Sequence, residues 1–195
     1  SITAFGIQGE IELRRNACKS GDVILTTGIH GLSKLGFLIK NKIYLDNDIS
    51  LNKRLISKSI EHFCRPKVYP NFLKNLIKTR SNKKIKRIGC TDSSDGLFQA
   101  LQDLASASKC KAIINYEKIP KDKDWPRGNK WDEYYFFGGE DYELVFSLPK
   151  KWAKNLTKLD KEINEIGFFT DGEPSIEFKD NKKNKLFNNT PFKHF

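Results

Sequence analysis

Two short segments carry the residue types that could do chemistry. In Thr91-Asp92-Ser93-Ser94-Asp95-Gly96-Leu97, carboxylates and hydroxyls fall between an apolar run and a helical pattern. At such a junction Asp92 and Asp95 can converge on one small volume. That suits a hard cation: Mg²⁺ is bound by one or two protein carboxylates together with substrate phosphates, and a helix N-terminus offers free N–H groups to phosphate oxygens. Ser94 could add a hydroxyl donor, and Gly96 would let the backbone come close to a phosphate. The competing role is structural. Asp92 or Ser94 would serve as N-cap of a helix over 94–108, because Ser and Asp are preferred there. Capping does not require a second aspartate, and the two roles can coexist.

The second segment, Phe137-Gly138-Gly139-Glu140-Asp141-Tyr142-Glu143-Leu144, sets paired glycines and three acids around a tyrosine, ahead of the apolar run Leu144–Phe146. A solvated hairpin turn would satisfy this pattern. So would a binding loop, and the residues alone leave both open.

Other candidates are weaker. Gly31 and Gly36 have P-loop spacing, but Phe37 and Leu38 stand where Lys and Ser/Thr are required, so ATP would have to be held another way. His30, His62 and His194 share no metal-ligand spacing, and His62 and Cys64 would diverge around a helix. Each histidine is read as structural or solvent-facing. No Ser/His/Asp or Cys/His nucleophile set can be assembled from order alone. The basic group Lys74, Lys78, Arg80, Lys83, Lys84, Lys86 and Arg87 could meet a polyanion. Only Phe72 lies nearby, which is too little aromatic surface for a stacking platform. A solvated helix face and loop is the reading, and nucleic acid is not an expected partner despite a net charge of +11.

The elements that must position these segments can be read from periodicity. Strand-like stretches are 2–12 and 23–27. Apolar stripes at helical spacing run through Leu32, Leu35, Leu38 and Ile39 and through Leu51, Leu55, Ile60 and Phe63, the second ending at Arg65-Pro66. A short helix over 72–78 leads to a buried strand at 85–90, which delivers Asp92. A helix follows, then a strand over 109–116, a loop over 118–130, a strand–glycine turn–strand over 134–148, a helix near 151–163 and strands through Phe178. The tail 180–189 is polar and reads as mobile. No internal repeat is evident. Alternating strands and helices make an α/β (α+β) domain with a mixed sheet.

Bulk properties agree. The chain has 195 residues, 38% hydrophobic and 30% charged with 14 Phe, enough for one generous core. Its four cysteines form no C-x-x-C pair and read as reduced thiols of a cytoplasmic protein. No apolar run nears the roughly 20 residues that span a bilayer, so no membrane partner is expected. With no methionine even at position 1, the expectation is that something upstream is missing.

Taken together, the two segments resemble the thiamine-monophosphate kinase family, relatives of aminoimidazole ribonucleotide synthetase and selenophosphate synthetase. Arg15-Asn16-Ala17-Cys18-Lys19-Ser20-Gly21-Asp22 is similar to that family's R-S-G-A-x-x-G-D, and Thr27-Gly28-x-x-Gly31-x-Ser33 to its T-G-x-x-G-x-S. His62-Phe63-Cys64-Arg65-Pro66 resembles its H-x-R-P with one residue added, and Phe192-Lys193-His194-Phe195 its aromatic-x-H-F terminus. The resemblance implies transfer of the ATP γ-phosphoryl group to thiamine monophosphate with several Mg²⁺ ions. It implies Asp92 and Asp95 as metal ligands, Arg15 and Ser94 as ATP contacts, Glu140 or Asp141 on the thiamine moiety and Phe192 against one of its rings. It also implies residues 1–12 as the last strand of a missing N-terminal domain, 13–195 as the C-terminal domain, inactivity of this portion alone and a homodimer when complete. Asn16 and Cys18 depart from the family's small residues.

Overall fold

Among the described residues, the sequence folds into seven strands and six α-helices. The strands are β1 (Glu12–Arg14), β2 (Val23–Thr27), β3 (Arg87–Asp92), β4 (Lys111–Ile114), β5 (Leu144–Leu148), β6 (Ile163–Thr170) and β7 (Ser175–Phe178). The helices are α1 (Leu32–Lys40), α2 (Lys53–Cys64), α3 (Phe72–Thr79), α4 (Leu97–Ser108), α5 (Asn129–Phe137) and α6 (Lys150–Leu159). The structure, a computed structural model, describes residues 3, 5–7, 9–43 and 51–180.

The strands make one mixed sheet in the order β1-β3-β5-β2-β6-β4-β7, with β1–β3 and β4–β7 parallel and the other pairs antiparallel. Its central strand β2 is buried along its whole length because both faces are covered. Alternation divides its side chains: Ile24 enters a core with α1, α2, α4 and α5, while Val23 and Leu25 enter a second core with α3 and α6. Leu35, Leu55, Leu101 and Tyr135 fill the first core. Phe72, Leu76, Trp152 and Leu156 fill the second, where the Trp152 indole N–H donates to the Leu76 carbonyl at 3.1 Å. Truncating one of these buried leucines to alanine would cost about 2–5 kcal/mol.

Antiparallel register places the two chemical segments side by side. Asp92 pairs with Leu144 and Thr91 with Val145, so β3 ends where β5 begins. Thr26 also pairs with Val145, and the same end of the sheet therefore holds the Thr27–Gly31 turn into α1.

Three expectations are corrected. Residues 134–137 are the last turn of α5, not a strand. Their aromatic content favours a strand, but Trp131 and Tyr135, one helical turn apart, are both buried, and the Gly138 N–H closes the helix on Tyr134 O at 2.9 Å. Within 2–12, among the described residues, strand structure begins only at Glu12, and Phe5 and Ile7 are 95% and 100% exposed with no neighbouring strand to cover them. The third concerns the cap of α4 and belongs to the site. The polar tail at 181–189 lies outside the described residues.

All four cysteines are free, and burial raises the Cys18 thiol to about 11 and the Cys90 thiol to about 12. Among the described residues, no helix is long and apolar enough to cross a membrane. Of the basic group, Arg80 pairs with Glu10 at 2.8 Å and Arg87 with Glu12 at 2.6 Å, while Lys74 and Lys78 are exposed on α3.

Candidate functional site

The 92–97 turn and the 138–143 loop are joined by three hydrogen bonds. The Ser93 N–H donates to the Glu143 carbonyl at 2.8 Å, the Glu143 N–H to Ser93 Oγ at 3.1 Å, and the Glu140 N–H to the Ser94 carbonyl at 2.8 Å. The turn closes through the Gly96 N–H on Ser93 O at 3.0 Å. Gly96 itself, at φ +94°, is the residue that caps α4, with no side-chain bond. Neither Asp92 nor Ser94 caps the helix, because the chain needs residues 93–96 to turn before α4 begins. The same packing explains Gly139: a Cβ there would lie 2.4 Å from Ser94 O.

Along the loop, side chains alternate between solvent and interior. Glu140 and Tyr142 are exposed, whereas Asp141 and Glu143 are buried. Positive φ at Glu140 (69°) and Tyr142 (54°) produces this alternation, a backbone cost of roughly 1 kcal/mol or more each.

The inward residues make a polar layer. Asp141 accepts the N–H groups of Gly31 at 2.6 Å and Ser33 at 2.9 Å at the start of α1. Burial pushes its carboxyl up to about 7, against the pull of those two bonds. Glu143 Oε2 accepts the Thr27 hydroxyl at 2.5 Å and the Tyr69 hydroxyl at 2.6 Å. Burial would raise the Glu143 carboxyl, but His62, Thr27 and Tyr69 together hold it below its ordinary range. Tyr69 is raised in turn, by burial and then by that carboxylate. His62 links the layer: Nδ1 is 3.0 Å from Ser33 Oγ and 3.7 Å from Asp141 Oδ1, and Nε2 is 3.5 Å from Glu143 Oε1. That last separation is too long for a full hydrogen bond, which leaves Oε1 buried without a hydrogen-bond partner. A pocket of about 440 Å³ borders this layer at Gly28, Ile29, His62 and Tyr69.

The outward residues form the chemical face. Asp92 and Asp95 are half-buried, and among the described residues neither carboxylate has a hydrogen bond or ion pair. They face Tyr142, whose hydroxyl donates to Glu140 Oε2 at 2.7 Å; that bond, partial burial and the nearby acids raise the phenol. Arg15 reaches the same end of the sheet, its Nε donating to Thr91 Oγ1 at 3.1 Å. Its side chain stays 61% exposed, with only a 3.8 Å approach to Asp103, so most of the guanidinium fork faces solvent. Ser94 is half-buried and stands between Asp92 and Asp95 in sequence. On the side of the 138–143 loop, Glu140 edges a pocket of about 250 Å³ lined by Ser33, Lys34, Phe37, Phe63 and Gly139.

The donor set suits a hard divalent cation shared with phosphate, since two unengaged carboxylates leave room for other oxygen ligands. Among the described residues no group of three or more His, Cys, Asp or Glu could enclose a metal by itself. The structure thus brings together Arg15, Asp92, Ser94, Asp95, Glu140 and Asp141 at one end of the sheet, with Asp141 in the interior and Glu140 at the surface. Phe192 lies outside the described residues. Reading the residues alone missed Thr27, Tyr69 and Glu143 as members of one polar layer, and treated His62 as unremarkable. The T-G-x-x-G-x-S and H-x-R-P resemblances were the available signal.

Comparison with known proteins gives the family of this fold. The family model of AIR synthase related protein, C-terminal domain, matches residues 19–179. The chain is 33% identical to a thiamine-monophosphate kinase of Prochlorococcus marinus over 194 residues, covering 100% of this chain and 58% of that protein. It is also 33% identical to a thiamine-monophosphate kinase of Buchnera aphidicola subsp. Schizaphis graminum over 205 residues, again 100% of this chain and 59% of the relative. Among solved structures, AaThiL complexed with AMPPCP and TMP superposes with a TM-score of 0.68 at 25% identity, over 93% of this chain and 53% of that one. The chain therefore spans less than two thirds of the curated relatives it matches.

Proposed function

The chain belongs to the family of AIR synthase related proteins, C-terminal domain, and from that premise we propose that it is the C-terminal portion of an enzyme that phosphorylates thiamine monophosphate to thiamine diphosphate with ATP. The observation that carries the proposal is the hydrogen-bonded junction of the 92–97 turn with the 138–143 loop, which faces two unengaged carboxylates and one exposed acid to the same side. The similarity over the whole chain to curated thiamine-monophosphate kinases supports the substrate, as does the AMPPCP and TMP carried by AaThiL.

In this reading the guanidinium of Arg15 grips phosphate oxygens in a bidentate fork, and Ser94 adds a hydroxyl donor. Asp92 and Asp95 would hold Mg²⁺, which supplies neutralisation of charge on the transferring phosphoryl group. Glu140 would engage the thiamine moiety from the rim of the Phe37–Phe63 pocket, whose two rings pack edge to face at 5.7 Å. Asp141, wholly buried against the start of α1, would set the loop from within. Phe192 would cover one ring of the acceptor. No covalent intermediate is needed, because alignment of acceptor phosphate and γ-phosphate supplies most of the rate. The reading includes residues 1–12 as the join to an N-terminal domain, a homodimer when complete, and work in the cytoplasm, in keeping with four free thiols.

The test is to extend the chain with the upstream region its relatives possess and to assay ADP and thiamine diphosphate formation from ATP and thiamine monophosphate. Turnover with Mg²⁺ is expected. Failure with thiamine monophosphate alongside turnover of another acceptor would reassign the chain to a sister phosphotransferase of the same family.

A further inference from the structure

The proposed transfer uses the outward half of the 138–143 loop and leaves the inward Glu143 without a task. We propose that Glu143 is a positioning residue: from behind the site it locks the metal-holding turn and the acceptor-holding loop into one mutual register. The inference rests on the phosphotransferase reading for its kinetic consequence, and on the structure alone for the coupling.

Glu143 is 1% exposed, its side chain set in the wall of the pocket beside Gly28, His62 and Tyr69 and turned away from the Asp92–Asp95–Glu140 face. Its main chain nevertheless makes both bonds to Ser93, the residue between the proposed ligand Asp92 and the proposed ATP contact Ser94. Its side chain is anchored elsewhere, by the hydroxyls of Thr27 at the end of β2 and Tyr69 ahead of α3. Thr27 Oγ1 also accepts the Leu144 N–H at 2.8 Å, which ties the same hydroxyl to the start of β5. Three stretches of chain distant in sequence, at Ser93, Thr27 and Tyr69, therefore converge on one residue. Mere filling of the space would be met more cheaply by leucine or methionine, because a buried carboxylate costs several kcal/mol unless donors surround it. Here two hydroxyls hold Oε2 while the imidazole of His62 faces Oε1 at 3.5 Å, and Gly28 gives up its side chain for the carboxylate: a Cβ at Gly28 would lie 2.0 Å from Oε1. An ionic anchor fixes direction where an apolar one would slide, and direction is what alignment of two substrates requires.

The experiment compares Glu143→Gln and, as a milder lesion that leaves the loop untouched, Tyr69→Phe with the wild-type chain by residue-resolved amide hydrogen exchange. Exchange at the Ser93, Glu140 and Glu143 amides is expected to quicken about tenfold, the weight of one hydrogen bond, while the α4 amide of Leu104 is unchanged. In the upstream-extended protein, the same variants should lower kcat about tenfold and raise KM for both substrates together, per mole of folded protein. Exchange that quickens equally at Leu104, or not at all, in whichever variant folds overturns the coupling. Wild-type kcat and KM in a variant with quickened exchange overturns the positioning role. Absence of kinase activity in the wild-type extended protein instead sinks the phosphotransferase reading, and the exchange comparison then decides the coupling alone.

Discussion

The carboxylate of Asp141 accepts the Gly31 N–H at 2.6 Å, so the acid at the centre of the glycine loop serves as the N-terminal anchor of α1 from 110 residues away. Of the two acids that the family resemblance implies for the thiamine moiety, Glu140 or Asp141, the second is thereby committed to the interior. Gly31 stands at φ +84° to present that N–H, and the Ser33 N–H adds a second bond.

This anchor makes a pH prediction together with His30. Burial holds the Asp141 carboxyl near 7 and the His30 imidazole near 4, away from their ordinary 3.8 and 6.5. Between these values the folded chain keeps a proton on Asp141 that the unfolded chain has lost, so this group's stabilising contribution falls as pH rises. His30 has the opposite sign: the unfolded chain binds a proton that the folded chain refuses, so its contribution rises with pH. The wild type should show little net slope. Chemical denaturation at pH 4.5 and 6.5 should find that Asp141→Asn gains stability across the interval and His30→Gln loses it, each on the order of 2 kcal/mol. Equal slopes in the three proteins would contradict the assignment.

Gly28→Ala should be severely destabilising, by about 3 kcal/mol or more. The residue sits at φ +52°, and its new Cβ would overlap a carboxylate that Thr27 and Tyr69 hold in place. Equilibrium denaturation measures this, and a change under about 1 kcal/mol would mean that Glu143 is free to move.

Asp92→Asn and Asp95→Asn act on function and spare the fold. In the upstream-extended protein each should reduce Mg²⁺-dependent turnover on the order of 100-fold or more, with unfolding free energy within about 0.5 kcal/mol of wild type, since neither carboxylate has a protein partner among the described residues. Wild-type turnover in Asp95→Asn would remove it from the metal site.

Arg15→Lys and Glu140→Gln should separate the two substrates. Loss of the exposed fork should raise KM for ATP about tenfold with little change for the acceptor, and Glu140→Gln should do the reverse. Steady-state kinetics with each substrate varied in turn reads both. An effect of either variant on the opposite substrate alone would interchange their roles.

Much of the outward face was legible in the primary structure. Period and spacing located β2, α1, α2, α3 and the helix that becomes α4, and the pairing of Asp92 with Asp95 beside an apolar run left a hard-cation role open beside helix capping. These signals are local, so the chain states them directly. The inward layer was not legible, because its members are 116 and 74 residues apart, as Glu143 is from Thr27 and Tyr69, and no local rule links them. The errors have the same origin. The aromatic run at 134–137 obeys its buried neighbours over its strand propensity, and Ser94 loses the cap of α4 because the carbonyl of the same residue is needed by the Glu140 amide. What sequence alone determined was which residue types stand at the ends of β3 and at the start of β5. Only the tertiary structure decided that antiparallel pairing brings those ends together, and that alternation through positive φ turns Glu140 toward solvent and Asp141 and Glu143 toward the helices.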